Sequence, residues 1–286
     1  MKYNFAAFIL THGRPDKVYT YKTLRTSGYT GRIFIVIDDE DQAEEAYRKK
    51  FGSEVVQFSK KDIGKTFDLG DNFVNKRGVI IYARNACFEL ARQLGVEYFI
   101  ELDDDYTNFS FRFDEHLQFR AHTIKNLDRV FEIMLDFYVK CGERCKTFAM
   151  AQGGDFIGGG NGTYGKEIAL KRKAMNTFIC SVNRPFKFVG RINEDVNTYT
   201  SETYRGMLFL SFPMLCMNQK RTQSNSGGMT EVYLESGTYL KSFYSVLYHP
   251  AGVRVKLMTT KFCRLHHAIH WNATAPRIVR ERVKNE

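Results

Sequence analysis

Three consecutive carboxylates, Asp103-Asp104-Asp105, follow directly on the apolar run Tyr98-Phe99-Ile100-Glu101-Leu102. Charges this close repel one another, and burial would push their pKa values up. A hard divalent cation taking oxygen ligands resolves the conflict, and Mg²⁺ or Mn²⁺ commonly bridges protein carboxylates to substrate phosphates. An exposed acidic turn would need no metal, but a strand leading straight into the cluster argues for a partly buried site. A cation held there stabilises, as a Lewis acid, the negative charge that develops when a bond to a diphosphate breaks. Arg14 and Arg84 stand next to strand or helix ends and could add hydrogen bonds to the same diphosphate. Either arginine taken alone could equally be a surface residue.

The elements around these residues alternate strand and helix. Phe5–Leu10 reads as an apolar strand ended by Thr11-His12-Gly13-Arg14-Pro15, and a helical segment runs through Tyr21-Lys22-Thr23-Leu24. Arg32–Ile37 is a second strand ending in Asp38-Asp39, Gln42–Phe51 is helical in its charge pattern, and Val55–Phe58 is a short strand. Ala86, Leu90 and Leu94 at four-residue spacing predict a helix over Tyr82–Leu94, with Gly95 just past its end. Short connections between such elements imply an α/β fold with a mostly parallel, doubly wound sheet flanked by helices. Ligands bind such sheets outside the carboxyl ends of the strands. Thr11–Pro15, Asp38-Asp39 and Asp103–Asp105 all fall at those ends.

Past residue 120 the texture changes. Ile124–Val139 reads as a long helix with Leu127, Phe131, Met134, Leu135 and Tyr138 on its buried stripe. The stretch from Gly153 to Gly162 holds six glycines in ten residues, suited to a loop that approaches a ligand or to a plain hairpin connection. Gln219–Met229 reads as a polar loop, with Arg221–Gly228 at its centre. With no repeat or linker, residues 1–286 read as one domain, a nucleotide-binding half over 1–120 and an acceptor half over 121–286.

Composition sets the outer limits. Of 286 residues 43% are apolar, enough for a sizeable core, yet no apolar run approaches the ~18 residues of a membrane helix. Phe5–Leu10 is too short for a signal-peptide core, so the expected location is cytoplasmic, without a membrane partner. The six cysteines are scattered and expected to be reduced thiols; Cys141 and Cys145, four apart on an expected helix, could seat a metal only if other ligands converged. A net charge of +10 favours a polyanionic partner and says nothing about fold.

The order Thr11–Pro15, Asp38-Asp39, Ala83-Arg84-Asn85-Ala86 and Leu102–Asp105 resembles the GT-A glycosyltransferases. More closely, the chain is similar to the phage-encoded TET-associated glycosyltransferases, which decorate hydroxymethylated pyrimidines in DNA. Phe67-Asp68-Leu69-Gly70-Asp71-Asn72, Arg172–Asn176, Asn193–Asn197, His270-Trp271-Asn272 and Pro276 support the likeness. The resemblance implies a GT-A fold, a nucleotide-sugar donor (UDP-linked) and a divalent cation, Mn²⁺ or Mg²⁺. Asp103 and Asp105 then match the Asp-x-Asp motif, Asp103 toward the donor ribose and Asp105 on the metal, with Asp104 between them in the donor site. Asp38 matches the position that reads the nucleotide base, and Thr11 and Arg14 match the first donor loop. Glu194-Asp195 matches the acidic pair of inverting enzymes, in which the second carboxylate deprotonates the acceptor hydroxyl. A late histidine, His266 or His267, matches a further metal ligand; neighbours on a strand face opposite ways, so one of the two would serve.

DNA is then the expected acceptor partner, with Lys171-Arg172-Lys173, Lys220-Arg221 and Arg277–Arg282 as candidate phosphate contacts. Two other readings stay open at this stage. One is a GT-A transferase acting on a glycan, lipid or protein, whose acceptor half would lack a DNA-sized basic groove. The other is a non-catalytic nucleic-acid-binding module on a transferase-like scaffold, against which the intact carboxylate cluster and the Glu194-Asp195 pair both argue.

Overall fold

The structure, a computed structural model, describes residues 1–73, 78–116, 118–152, 168–220, 239–259 and 263–275. The glycine-rich stretch 153–162, the loop 221–228, Pro276 and the basic run 277–282 lie outside the described residues. In chain order the described elements are β1 (Phe5–Leu10), α1 (Tyr19–Thr26), β2 (Arg32–Asp38), α2 (Glu44–Phe51), β3 (Val55–Phe58), α3 (Lys60–Ile63), α4 (Ile81–Gln93) and β4 (Tyr98–Asp103). Then follow β5 (Tyr106–Phe113), β6 (Phe119–Thr123), α5 (Leu127–Lys140), β7 (Cys145–Gln152), β8 (Thr177–Ser181), α6 (Glu194–Tyr204) and β9 (Leu208–Gln219). The last are α7 (Tyr239–Tyr248), β10 (Val253–Thr259), β11 (Cys263–Ile269) and α8 (Trp271–Thr274).

Nine strands form one mixed sheet in the order β3-β2-β1-β4-β8-β7-β9-β5-β6. The four strands β3-β2-β1-β4 are parallel, as the alternating elements of the first half require. Antiparallel pairing enters only with the later strands, at β4–β8, β8–β7, β9–β5 and β5–β6. After β1 the chain runs outward to β2 and β3, then returns to place β4 on the other side of β1. The loops after β1 and β4 therefore meet at the carboxyl edge of the sheet, where an open α/β sheet has its ligand crevice.

β1 is buried along its whole length. Phe5, Ala7 and Ile9 face one core with Leu24 of α1 and the α5 stripe, while Ala6, Phe8 and Leu10 face the other with Ile81, Ala86 and Leu90 of α4 and Val196 of α6. A strand covered on both faces reads as a continuous apolar run, which is why it was legible. The α4 helix stops as expected: Leu94 caps it and Gly95 adopts φ +62°.

Two local expectations change. The helix read from Ile124 begins at Leu127 because the Asn126 side chain accepts the Arg129 N–H at 3.2 Å and caps it. Leu127, Phe131, Met134, Leu135 and Tyr138 are all buried on it, as the spacing predicts. Cys141 and Cys145 do not share a helix: Gly142, at φ +75°, ends α5, and Cys145 opens β7. All six cysteines are free thiols. Among the described residues no helix is long and apolar enough to cross a membrane.

Candidate active site

β4 carries the aspartates to the crevice, and α1 fixes the backbone there. Thr20 donates its N–H to the Asp104 carbonyl (3.1 Å) and its hydroxyl to the Asp103 carbonyl (2.5 Å), and its hydroxyl oxygen accepts the Tyr106 N–H (2.9 Å). With the turn held this way, the three carboxylates take separate partners.

Asp104, 1% exposed, is engaged by the loop after β1: the Thr11 hydroxyl and Arg14 Nε both donate to its Oδ2 at 2.6 Å. Tyr47 of α2 seals the same loop, its hydroxyl 2.9 Å from Thr11 Oγ1 and accepting the Arg14 N–H at 2.9 Å. Asp104 therefore holds Thr11 and Arg14 against the strand end. Asp103 lies one residue back and accepts Arg84 Nη2 at 3.1 Å. Asp105 keeps a buried oxygen, Oδ1, that has no hydrogen-bond partner among the described residues. Burial, with Asp103 and Asp104 alongside, pushes its carboxyl up to about 7.

Arg84 is 3% exposed and joins the acids. Nε donates to Glu194 Oε1 at 3.0 Å and Nη2 to Asp103, while the guanidinium lies 4.9 Å from the Phe178 ring centre and 5.7 Å from that of Phe188. Glu101 stands 3.6 Å from Nη1. That is beyond hydrogen-bond reach, and burial pushes Glu101 up to about 8, so at neutral pH it is largely protonated. The hydrogen bonds of Arg84 thus go to Asp103 and Glu194, whose own carboxyls burial also pushes up, against the pull of Arg84.

The second element of the site is the start of α6. Asn193, in the left-handed region at φ +63°, turns the chain into Glu194-Asp195. Its side-chain amide donates to Ser245 Oγ (2.7 Å) and stands 3.1 Å from His267 Nδ1, tying α6 to α7 and β11. Asp195, 9% exposed, accepts the Val196 N–H at 2.7 Å. Burial raises its pKa, against the opposing pull of that N–H, Arg84 and Lys241. Arg191 is no surface ion-pair partner for Asp195: it is 2% exposed and grips Asp71, Nε to Oδ2 at 2.8 Å and Nη2 to Oδ1 at 2.8 Å. Gly190 and Arg191 also donate backbone N–H groups to the Asp68 and Leu69 carbonyls at 2.8 and 2.9 Å. The Phe67–Asn72 motif is thereby a brace for the turn into α6.

Asp38 lies at the end of β2, where His12 Nδ1 (2.8 Å) and Lys60 Nζ (2.9 Å) converge on it. Burial opposes its ionisation, but His12 and Lys60 outweigh burial and hold it below the usual carboxylate range. His12, Tyr47, Thr20 and Lys60 were given no role of their own from sequence; each lies far along the chain from the residues it holds.

His266 and His267 lie on β11, apart from the strand ends that carry the aspartates. Among the described residues no three His, Cys, Asp or Glu side chains converge as metal ligands. His267 is held by Asn193, and burial, then His266, Lys241 and Lys173, push its pKa down to about 3, leaving it neutral. A divalent cation nevertheless suits the aspartates: the orphaned Asp105 oxygen and the raised Asp105 carboxyl are what a site lacking its counter-charge shows. Mg²⁺-type sites need only one or two carboxylates, because substrate phosphates complete the shell.

With this geometry in place, comparison with known proteins decides the family. The family described as TET-associated glycosyltransferase matches residues 5–228. The chain belongs to that family. This transferase also resembles solved structures. Staphylococcus aureus TarS aligns with 13% identity and a TM-score of 0.43, covering 84% of this chain and 39% of TarS. Glucosyl-3-phosphoglycerate synthase from Mycobacterium tuberculosis, solved with Mg²⁺ and uridine diphosphate, aligns with 9% identity and a TM-score of 0.44, covering 94% and 88%. A TarS fragment, residues 1–349 with UDP-GlcNAc, aligns with 11% identity and a TM-score of 0.44, covering 85% and 66%. No curated protein matches the sequence.

Proposed function

We propose that this transferase moves a sugar, with inversion, from a UDP-linked donor to the hydroxymethyl group of a 5-hydroxymethylpyrimidine in DNA, using Mn²⁺ or Mg²⁺. The observation that carries this reading is Arg84, which bonds Asp103 on the donor side and Glu194 beside Asp195 on the other. One buried cation thereby sets the candidate base against the donor crevice. The family's association with TET enzymes and the net charge of +10 support a DNA acceptor.

Residues 1–120 form the donor half in this reading and residues 121–286 the acceptor half. The Thr11–Arg14 loop, clamped by Asp104 and Tyr47, receives the diphosphate, and Asp38 receives the base. Asp105, with Asp103, would hold the cation, which when bound neutralises charge on the departing diphosphate. Asp195 takes the proton of the acceptor hydroxyl; the hydroxyl oxygen bonds to the anomeric carbon as the bond from that carbon to the phosphate oxygen breaks, and the electron pair leaves with the diphosphate. A base with a raised pKa suits that proton transfer better than an ordinary carboxylate.

Incubating hydroxymethylated DNA with a panel of nucleotide sugars, followed by mass spectrometry of the nucleosides, tests the reading. A hexose or pentose mass added to the modified nucleoside is expected, with the inverted anomeric configuration by NMR coupling. Transfer to a glycan or protein but not to DNA would remove the acceptor assignment.

A further inference from the structure

β10 and β11 form a separate two-stranded antiparallel ribbon, in register from Val253↔Ile269 to Thr259↔Cys263. The period of two puts Arg254, Lys256, Arg264 and His266 on one face, with Lys256 directly opposite His266. Arg254, Lys256 and Arg264 are exposed. The other face turns inward at its root, where Val253 is buried and His267 meets Asn193, the residue before the acidic pair.

Charge of one sign marks this face. Between Glu235 and Glu281 the sequence contains no Asp or Glu. Guarding an exposed strand edge takes a charge or two; three cations on one face, Lys256 diagonal to Arg264 and no acid on either strand, are complementary to an anionic surface. Duplex DNA fits in size as well as charge. Paired strands lie about 4.8 Å apart, and the B-DNA major groove, about 12 Å wide, admits a two-stranded ribbon. The C5 substituent of a pyrimidine projects into that same groove.

We propose that the β10–β11 ribbon enters the major groove of a duplex acceptor, its Arg254–Lys256–Arg264 face meeting phosphates while its root, through His267 and Asn193, sets the hydroxymethyl group against Asp195. The inference rests on the DNA-acceptor reading and adds the docking element, the groove and the direction of approach. Lys171, one of the basic residues singled out from sequence, stands beside this assembly, donating to Asn272 Oδ1 at 2.8 Å.

The test compares wild type with R254Q/K256Q/R264Q on a hydroxymethylated duplex. None of the three residues belongs to the donor site or the acidic pair, so acceptor-free hydrolysis of the nucleotide sugar should be unchanged and reports that the variant is folded. Each phosphate contact contributes about 0.9 to the slope of log affinity on log salt, so the slope should fall by about two to three. The Michaelis constant for the duplex should rise at least tenfold. Dimethyl sulfate footprinting should show wild type protecting guanine N7, in the major groove, and the variant losing that protection. A variant that keeps the wild-type slope and footprint overturns the ribbon while the DNA reading stands. A wild-type protein that neither binds nor glycosylates the duplex overturns both.

Discussion

Arg84→Met should be among the most damaging single substitutions outside the aspartate cluster. The side chain is 3% exposed and bonds Asp103 at 3.1 Å and Glu194 at 3.0 Å. Methionine fills much of the volume but removes the charge, leaving two buried carboxylates uncompensated. Breaking a buried ion pair from one side costs about 3–5 kcal/mol. For a domain of this size each kcal/mol lowers the melting temperature by roughly 2–4 °C, so a drop of about 6–20 °C is expected. Glu101→Gln provides the contrast. Glu101 is buried beside the same guanidinium, but at 3.6 Å and with its carboxyl pushed up to about 8 it is already largely neutral at pH 7. Its replacement should cost less than about 1 kcal/mol, the range of a neutral swap of similar shape. Thermal and urea unfolding followed by circular dichroism measure both. If Arg84→Met melts within a degree or two of wild type, or Glu101→Gln costs as much as Arg84→Met, the assignment of Arg84's charge to Asp103 and Glu194 is wrong.

Four further outcomes follow from the same geometry. Asp195→Asn should slow transfer by about 10²–10⁴-fold while donor affinity by calorimetry stays within about threefold, under ~1 kcal/mol; near-normal turnover would place the base elsewhere. Because burial raises the Asp195 pKa and a base must be deprotonated, turnover should fall as pH drops through a value above the ordinary carboxylate range; a flat profile down to pH 4 would contradict this. Chelation should abolish transfer, with recovery on adding Mn²⁺ or Mg²⁺, and Asp105→Ala should not recover; full activity in chelator would end the metal assignment. Asp104→Asn, by loosening Thr11 and Arg14, should raise the donor Michaelis constant more than it lowers turnover; unchanged donor kinetics would show that the clamp does not shape the site.

How much of this was legible in the sequence follows from the range of the interactions. Strand and helix periodicities are local, so β1, β2, β4 and α4 could be read directly, and with them the fact that Thr11–Arg14, Asp38 and Asp103–Asp105 lie at strand ends. Position in a parallel sheet then puts them at one edge, because each strand's carboxyl end points the same way. The division of labour among three adjacent aspartates was beyond that reading. A one-residue step at a strand end reverses the side a carboxylate faces, and the partners that distinguish them are remote: Arg14 lies 90 residues before Asp104, and Glu194 lies 110 after Arg84. Composition likewise announced a basic protein without locating the charge. Only strand pairing aligned Lys256 with His266 and turned their face away from the side that holds His267, since register decides which side chains of a ribbon share a face.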